Sequence, residues 1–232
     1  VYSKINVSRV TLKDLDNDVI KNFMDEEDKL IDLINELNSD KSVTGIILQS
    51  PIPKPLDIYK AFETIDFRKD VDGFNPINIG RLTLKRQTFI SCTPHGVMKM
   101  LEHYNIPIEG ANIVIVGRGN IVGKPLALAL ENRNATVTLC HSKTKNLENY
   151  TKQADILVAA AGSPNLIKKD MVKKTSVLID VGVTRIDGKI VGDIEKDVYD
   201  TVSYITPNPG GVGPMTVAMI IDNLIEMKEG ER

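Results

Sequence analysis

Three glycines and a lysine separate an apolar run from a leucine- and alanine-rich stretch in residues 112–130, NIVIVGRGNIVGKPLALAL. Loops of this kind can bind phosphate, because backbone N–H groups point outward at the start of the following helix. An ATP-binding loop requires G-x-x-x-x-G-K followed by Ser or Thr, whose hydroxyl holds magnesium. Here Arg118 stands where the first glycine would be, and Pro125 stands where the hydroxyl would be. The ATP interpretation therefore fails.

The same loop fits a dinucleotide-binding fingerprint better. Gly117 and Gly119 match the start of G-x-G-x-x-G, and the third glycine, Gly123, arrives one residue late. A strand-like run precedes the loop and a helix-like run follows it. Pro125 suits the first turn of that helix, where its missing N–H costs nothing. For this loop taken alone, a glycine-rich turn without a ligand stays open as the alternative.

Residues 140–144, at the end of the apolar run that follows the glycine loop, indicate which dinucleotide would bind. NAD-binding folds commonly place an Asp or Glu about 20 residues past the glycines to hold the adenosine ribose. This chain has CHSKT at 140–144, without an acidic residue. Ser142, Lys143 and Thr144, together with Arg118, could instead surround a ribose 2′-phosphate. The pattern favours NADP over NAD, with an ordinary solvated helix start as the alternative reading of the lysine.

Polar residues also stand at turn-rich points outside the glycine loop. Gln49 ends the apolar run GIILQ directly before prolines, and Asp70 and Asp72 lie in the long loop RKDVDGFNPINIGRL. Thr93 precedes a proline at a helix start, and TPNPGGVGPMT, residues 206–216, comes before the last helix. Ligands bind at the carboxyl ends of parallel strands in α/β sheets. Each stretch by itself could equally be ordinary turn chemistry.

Composition argues against several classes of function. The 232 residues carry 29 basic and 31 acidic side chains, so the overall charge favours neither nucleic acid nor an anionic membrane as a partner. The apolar runs are shorter than the roughly 20 residues that span a bilayer. Cys92 and Cys140 lie far apart without a CxxC pattern, and the histidines lack ligand spacing. We expect free, buried thiols, no metal site and a cytoplasmic location.

Strand-like and helix-like segments alternate along the chain. Apolar residues recur at helical spacing in 26–37, EEDKLIDLINEL. Further helices are predicted at 94–104, 124–132, 144–153 and 167–173 and from about Thr216, and strands at 5–12, 43–49, 112–117, 135–140, 156–162 and 176–182. This alternation predicts an α/β fold with parallel sheets covered on both faces. Proline and glycine near 105–110 predict a domain boundary.

Taken together, these stretches resemble the methylenetetrahydrofolate dehydrogenase/cyclohydrolase family. The matching blocks, in the family's order, are VTGIILQSPIP, KDVDGFNPINIGRL, CTPHGV, VIVGRGNIVGKP, CHSKT, ADILVAAAGSP, VLIDVGV, VGD and TPNPGGVGPMT. They are spread over nearly the whole chain, and the KDVDG and PGGVGPMT blocks are specific.

The resemblance implies an α/β fold of two lobes with the substrate cleft between them. Residues 1–106 would form a folate-binding catalytic lobe that lacks its start, 107–213 a Rossmann-like NADP-binding lobe, and 214–232 a helix returning to the first lobe. It further implies NADP as cofactor, tetrahydrofolate derivatives as ligands, and a homodimer built through the nucleotide lobe. The cellular role would lie in one-carbon metabolism and purine biosynthesis.

The implied reaction transfers a hydride from the methylene carbon of 5,10-methylenetetrahydrofolate to the nicotinamide. Water then adds to the methenyl cation, and the ring opens to 10-formyltetrahydrofolate. By resemblance, Asp72 anchors the pterin nitrogens and Gln49 works beside a catalytic lysine. The implied substrate-binding residues are Gln49, Pro51, Asp72, Pro209, Gly210, Gly211 and Pro214, and the implied cofactor-binding residues are Thr93, Gly117, Arg118, Gly119, Ile121, Val122, Gly123, His141, Ser142, Gly162, Gly182 and Val183.

The chain departs from the family pattern at two points. Gly119 occupies the serine position of the usual Gly-Arg-Ser, which removes a hydroxyl that could bind the 2′-phosphate and weakens the preference for NADP. The family's Tyr-x-x-x-Lys pair is not found, since Tyr2 and Lys4 have the wrong spacing. We expect that an N-terminal segment before Val1 carries the pair. The alternatives are a dehydrogenase without hydrolase activity, or a non-catalytic protein that binds folate or nucleotide.

Overall fold

A computed structural model of the chain describes residues 23–54 and 56–230. The strand predicted at 5–12, and Tyr2 and Lys4 with it, lies outside the described residues. In chain order the α-helices are α1 Phe23–Ser39, α2 Ile58–Thr64, α3 Pro76–Thr83, α4 Cys92–His103, α5 Gly123–Glu131, α6 Leu147–Thr151 and α7 Val212–Glu229. The β-strands are β1 Asn112–Val116, β2 Thr136–Cys140, β3 Ile156–Ala159, β4 Val177–Asp180, β5 Thr184–Ile186, β6 Lys189–Val191 and β7 Tyr204–Ile205.

Five strands form one parallel sheet in the order β2-β1-β3-β4-β7. Alternate residues of its strands enter two different hydrophobic cores. Ile113 and Ile115 pack with α4 and α5, whereas Val114 and Val116 pack in the core on the opposite face. The central strands β1, β3 and β4 are therefore buried on both faces, which explains why they are continuous apolar runs in the sequence. The predicted α/β class with a doubly covered parallel sheet is confirmed.

The N-terminal part of the structure is held together by side chains that cap helix ends. Asp57 and Asn75 each accept a hydrogen bond from a backbone N–H in the first turn of α2 and α3, respectively. The ammonium group of Lys69 donates to the carbonyls of Leu37, Asn38 and Asp40 at the end of α1. These carbonyls have no partner inside the helix, so Lys69 has a structural task.

Helix α7 packs along α4 and reaches back to segments from early in the chain. A Cβ on Gly96 of α4 would lie 3.0 Å from the Cβ of Met215, so the two helices cross closely there. Near the other end, the buried Asn223 amide donates to the Val71 carbonyl at 2.8 Å and to the Ile90 carbonyl at 3.2 Å. The last helix is thus tied to the loop that contains Asp70 and Asp72.

Several predicted elements are altered by their surroundings. The predicted strand 43–49 is an extended segment with one parallel bridge, Ile46 to Asp70, because the partner segment turns immediately at Gly73. The predicted helix 167–173 is wrong apart from a short 3₁₀ turn at Lys169–Met171. Its first residue, Ile167, bridges in extended form to Ile194 instead. Helices α2 and α3, the hairpin β5–β6 and strand β7 were not predicted.

Helix ends also differ from the predictions. Helix α6 begins only at Leu147, because Asn146 adopts a left-handed conformation with φ 50°. Helix α7 begins at Val212, four residues before the predicted start. Both differences concern residues next to turns, where backbone conformation and not apolar spacing decides the boundary. No helix in the two described ranges has the length and apolar character needed to cross a membrane.

Candidate active site

The glycine loop joins the end of β1 to the start of α5. Gly117 has φ 123°, and a Cβ there would lie 2.1 Å from the Ala160 carbonyl oxygen. A Cβ on Gly123 would lie 2.0 Å from the Gly117 carbonyl oxygen. Both contacts are with backbone, which cannot move aside, so the two positions require glycine. A Cβ on Gly119 would meet open space. Gly123, the third glycine of the loop, therefore allows the start of α5 to pack against the end of β1.

The loop is tied to the N-terminal part of the chain at two places. The Asn120 amide donates to the Tyr59 hydroxyl of α2 at 3.0 Å and accepts from Lys124 at 2.8 Å. The Ser91 hydroxyl, just before α4, donates to the Ile121 carbonyl at 3.0 Å. Both ties connect residues more than 29 positions apart. These two hydrogen bonds place the glycine loop against α2 and the start of α4, in the N-terminal part that contains Gln49 and Asp72.

The turn after β2 is built by its own polar groups. The His141 N–H donates to the Thr144 hydroxyl at 2.9 Å, and the Lys143 N–H donates to His141 Nδ1 at 3.1 Å. Ser142 and Lys143 are exposed, as is Arg118 at the end of the neighbouring strand β1. Because β1 and β2 are adjacent and parallel, these three side chains lie at one edge of the sheet. Their exposed charged and hydroxyl groups can bind an anion at this end of the strands.

The loops after β3 and β4 meet at the same edge. Gly162 has φ 63° and an exposed backbone, and the Gly182 carbonyl accepts a hydrogen bond of 2.6 Å from the Asn208 amide. Val183, next along the chain, is 63% exposed. Because this apolar side chain is so exposed to solvent, it can contact the ring of a bound ligand. The residues predicted from the sequence at these loops are thus brought together with the glycine loop.

Asp70 and Asp72 share one loop but have different surroundings. Asp70 is buried and accepts hydrogen bonds from the Asn75 N–H at 2.7 Å and the Asn78 amide at 2.9 Å. Burial raises the pKa of its carboxyl, and these hydrogen bonds lower it in part. All of these contacts lie within the loop and the adjacent helix α3. Asp70 therefore holds the loop in shape.

The Asp72 carboxyl also has a raised pKa. Desolvation raises its pKa to about 6, against a smaller opposing effect of a hydrogen bond from Cys92. The Cys92 thiol lies 3.5 Å from the Val71 carbonyl and 3.6 Å from the Asn223 amide of α7. Burial raises the pKa of that thiol, so it remains protonated and able to donate. A carboxyl with a pKa raised in this way is a candidate for a functional role.

The raised pKa of Asp72 implies a stability penalty for its ionised form. Because the pKa in the folded state exceeds that in the unfolded state, the penalty is complete above about pH 6 and disappears below about pH 4. We expect Asp72→Asn to raise the free energy of unfolding at pH 8 by roughly 1–2 kcal/mol, after allowance for partial solvent screening. At pH 4 the variant and the wild type should be alike. Urea denaturation at the two pH values measures this, and an equal effect at both would contradict it.

Gln49 and Pro51 follow the segment that bridges to Asp70. The bridge between Ile46 and Asp70 is parallel, so the residues that follow on both segments leave in the same direction. Gln49 and Asp72 therefore emerge at the same end of the pair. Both Gln49 and Pro51 are exposed, and the bond before Pro51 is cis.

The proline- and glycine-rich segment before α7 supplies the remaining candidates. Pro209, Gly210 and Pro214 are exposed, and the Lys196 ammonium donates to the Asn208 carbonyl at 3.0 Å. A cavity of about 1240 Å³ is lined by Gly210, Gly211 and Pro214 together with residues of α4, β4 and β7. Neither Asp72 nor the glycine loop lines it. The size of this cavity therefore does not mark it as the place where the candidate loops meet.

Thr93 is one of the cofactor-binding residues implied by the sequence. The Thr93 hydroxyl lies 2.9 Å from that of Thr216, so in this structure it joins α4 to α7. Cys92 and Cys140 are buried and free, which confirms the expectation for the thiols. Within the described ranges, no group of three or more His, Cys, Asp or Glu side chains is placed to hold a metal ion.

Sequence reasoning missed four buried polar residues that support these loops: Asp180, Asp193, Asn208 and Asn223. An acidic residue inside an apolar block, as in VLIDVG, is a signal that could have drawn attention to Asp180. The other three lie in turns or on a helix face, and their partners are distant in sequence. No local pattern marks them.

Two family models match this chain. The model of the tetrahydrofolate dehydrogenase/cyclohydrolase catalytic domain matches residues 2–72, and that of the tetrahydrofolate dehydrogenase/cyclohydrolase NAD(P)-binding domain matches residues 91–232. The bifunctional protein FolD of Exiguobacterium sibiricum is 50% identical over 216 residues, which are 91% of this chain and 77% of that protein.

Solved structures are similar along most of the chain. A bifunctional FolD methylenetetrahydrofolate dehydrogenase/cyclohydrolase from Campylobacter jejuni is 49% identical with a TM-score of 0.86, and the match covers 89% of this chain and 74% of that one. The Trypanosoma brucei methylenetetrahydrofolate dehydrogenase-cyclohydrolase, solved with NADP and an inhibitor, is 36% identical with a TM-score of 0.83 over the same shares.

Proposed function

The chain belongs to the tetrahydrofolate dehydrogenase/cyclohydrolase family, and we propose from this that it oxidises 5,10-methylenetetrahydrofolate with NADP and hydrolyses the product to 10-formyltetrahydrofolate. The observation that carries the proposal is a short connection between the two halves of the site. Cys92 contacts Asp72, and the neighbouring Ser91 donates to the Ile121 carbonyl in the glycine loop. The carboxyl and the loop are thus held in a fixed relation, as hydride transfer requires.

The glycine loop fits a dinucleotide. At Gly117 and Gly123 a Cβ would collide with backbone, so glycine at both positions lets the start of α5 pack against the end of β1, and the backbone N–H groups at that helix start would face the phosphate oxygens. Arg118 and Ser142 are exposed at the adjacent strand ends and would bind the 2′-phosphate of NADP. His141, Gly162, Gly182 and Val183 would contact the rest of the molecule. When bound, NADP supplies the hydride acceptor.

On the substrate side, Asp72 would accept hydrogen bonds from the pterin nitrogens while its carboxyl is ionised. Gln49 follows the segment that is paired in parallel with the Asp70 segment and would reach the same ligand, and the segment from Pro209 to Pro214 would form the wall of the pocket. Two or more such contacts fix which face of the pterin meets the nicotinamide, and alignment governs hydride transfer.

The hydrolysis step needs a group that moves protons. Lys69 cannot serve, because its ammonium is engaged by three carbonyls at the end of α1. The Tyr-x-x-x-Lys pair implied by the resemblance does not occur in residues 1–232. Gln49 would assist the lysine of that pair and orient the attacking water.

The proposal extends to organisation and setting. It comprises a folate-binding lobe over residues 1–106, a nucleotide lobe over 107–213 and a returning helix over 214–232. The contacts of α7 to Val71 and Ile90 agree with this division. We also propose a homodimer in the cytoplasm, serving one-carbon metabolism and purine biosynthesis.

An assay of both steps tests the proposed function. The full-length protein is mixed with 5,10-methylenetetrahydrofolate and either NADP or NAD, and the absorbance of 5,10-methenyltetrahydrofolate is followed as it forms and decays. We expect formation with NADP, followed by decay faster than in a control with no enzyme. Formation without accelerated decay would indicate a dehydrogenase alone, and ligand binding without turnover would indicate a non-catalytic protein.

Replacing Arg118 tests the assignment of the cofactor. Arg118→Ala should weaken NADP binding by roughly 10- to 100-fold, because one charge-assisted contact to the 2′-phosphate is lost. NAD, which lacks this phosphate, should bind the variant and the wild type about equally. Fluorescence titration with each cofactor measures the two affinities. Equal losses for NADP and NAD would refute the assignment, and Arg185→Ala in the hairpin β5–β6 serves as a control for loss of surface charge.

A further inference from the structure

Two buried carboxylates lie behind the loops at the ends of β3 and β4, and the proposed chemistry does not use them. Asp180 is the last residue of β4 and is 2% exposed, whereas Asp193 follows β6 and is 0% exposed. Buried carboxylates are costly unless hydrogen bonds satisfy them, so their partners indicate what they hold in place.

Asp193 binds the backbone of the loop after β3. Its Oδ2 accepts from the Ala161 N–H at 2.6 Å and the Gly162 N–H at 3.0 Å, and its Oδ1 accepts from the Ser163 N–H at 2.7 Å. The same carboxylate touches the loop after β4, since a Cβ on Gly182 would lie 2.0 Å from its Cγ. One side chain therefore sets the separation of the two loops.

Asp180 in turn holds the backbone at Asp193 in place. Its Oδ1 accepts from the Asp193 N–H at 3.0 Å, and its Oδ2 accepts from the Ile194 N–H at 3.3 Å. Gly192 leaves room for this contact, because a Cβ there would lie 1.9 Å from Asp180 Oδ2. The Asn208 amide holds the Gly182 carbonyl from the other side, at 2.6 Å.

The position of these loops relates them to one end of the cofactor. In the sheet order β2-β1-β3-β4-β7, the connections reverse direction between β1 and β3. A dinucleotide lies across the strand ends at such a point, with its pyrophosphate at the glycine loop. Since the 2′-phosphate contacts of the adenosine half are on the β2 side, the nicotinamide half falls at the ends of β3 and β4.

We propose that Asp193 is a positioning residue for hydride transfer, whose carboxylate holds the loop 161–163 against Gly182 and so fixes the nicotinamide relative to the folate. This inference rests on the proposed function. Three backbone N–H groups require a carboxylate with two accepting oxygens. An asparagine offers one oxygen, and its NH₂ would face N–H groups, so part of the loop would be released.

Asp193→Asn tests the proposal, because the enzyme carries an internal control. Hydrolysis of 5,10-methenyltetrahydrofolate, measured without nucleotide, does not depend on the nicotinamide and should stay within about two-fold of wild type. The kcat of the dehydrogenase should fall by roughly 10- to 100-fold, with a smaller change in the KM for NADP. The kinetic isotope effect with substrate deuterated at the methylene carbon should rise, since hydride transfer becomes rate-limiting. Asp187→Asn, in the exposed turn of the β5–β6 hairpin, is the matched control.

Two results would overturn the proposal. One is a dehydrogenase kcat and isotope effect equal to wild type; the other is a parallel loss of both activities, which indicates a purely structural role. If Asp193→Asn does not fold, Thr184→Val decides, because the Thr184 hydroxyl donates to the Gly162 carbonyl at 3.3 Å in the same loop. It should lower the dehydrogenase kcat selectively by a few-fold, and an unchanged kcat refutes the proposal. A wild-type enzyme without dehydrogenase activity refutes the proposed function instead.

Discussion

Asp72→Ala is expected to lower the affinity for a folate analogue by at least about 100-fold, because the charged hydrogen bonds to the pterin nitrogens contribute roughly 1.5–3 kcal/mol each. NADP affinity should change little, since Asp72 lies in the loop of the N-terminal part and the glycine loop keeps its own contacts. Isothermal titration of each ligand separately measures both effects. An equal loss of both affinities would mean that Asp72 supports the fold and not the ligand.

The pH dependence of folate binding provides an independent check on Asp72. Its pKa of about 6 means that the carboxyl is ionised at pH 8 and largely protonated at pH 5. The ionised form accepts N–H groups, so wild-type affinity should fall as the pH drops through 6. Asp72→Asn should be weak throughout and should lose this pH dependence. A wild-type affinity that stays constant from pH 8 to pH 5 would contradict the role assigned to the carboxyl.

Gly123→Ala is expected to have the second large effect. The added Cβ would lie 2.0 Å from the Gly117 carbonyl oxygen, so the start of α5 must move away from the end of β1. We expect NADP affinity to fall by more than about 100-fold, because phosphate contacts depend on that close approach. The free energy of unfolding should fall by about 1–3 kcal/mol through overpacking.

The matched control for Gly123 lies in the same loop. A Cβ on Gly119 meets no protein atom within 4 Å, so Gly119→Ala should unfold like the wild type, and any change in its NADP affinity reports contact of the added methyl group with the cofactor. Titration with NADP and urea denaturation of both variants make the comparison. If the two variants behave alike, close packing at Gly123 is not what shapes the cofactor loop.

Much of the nucleotide-binding half could be predicted from the sequence. Its central strands β1, β3 and β4 are buried on both faces, so each is an apolar run that leads into a glycine-containing turn. The loop at Gly117–Gly123 is continuous in sequence, and so is the CHSKT turn, which made both recognisable without a structure. Predictions failed where a backbone found a distant partner, as when Ile167 donated its N–H to the Asp193 carbonyl and was held in extended form.

The sequence by itself determined the α/β class, the glycine loop and the family, because these depend on residues that are neighbours along the chain. Only the tertiary structure decided which polar groups meet. Asn223 reaches Val71 across 152 positions, and Asp193 reaches the loop after β3 across about 30. The raised pKa of Asp72 likewise depends on burial by residues far from it in sequence. Local patterns record how each segment can fold, whereas contacts between segments and the desolvation they cause exist only once the chain has closed on itself.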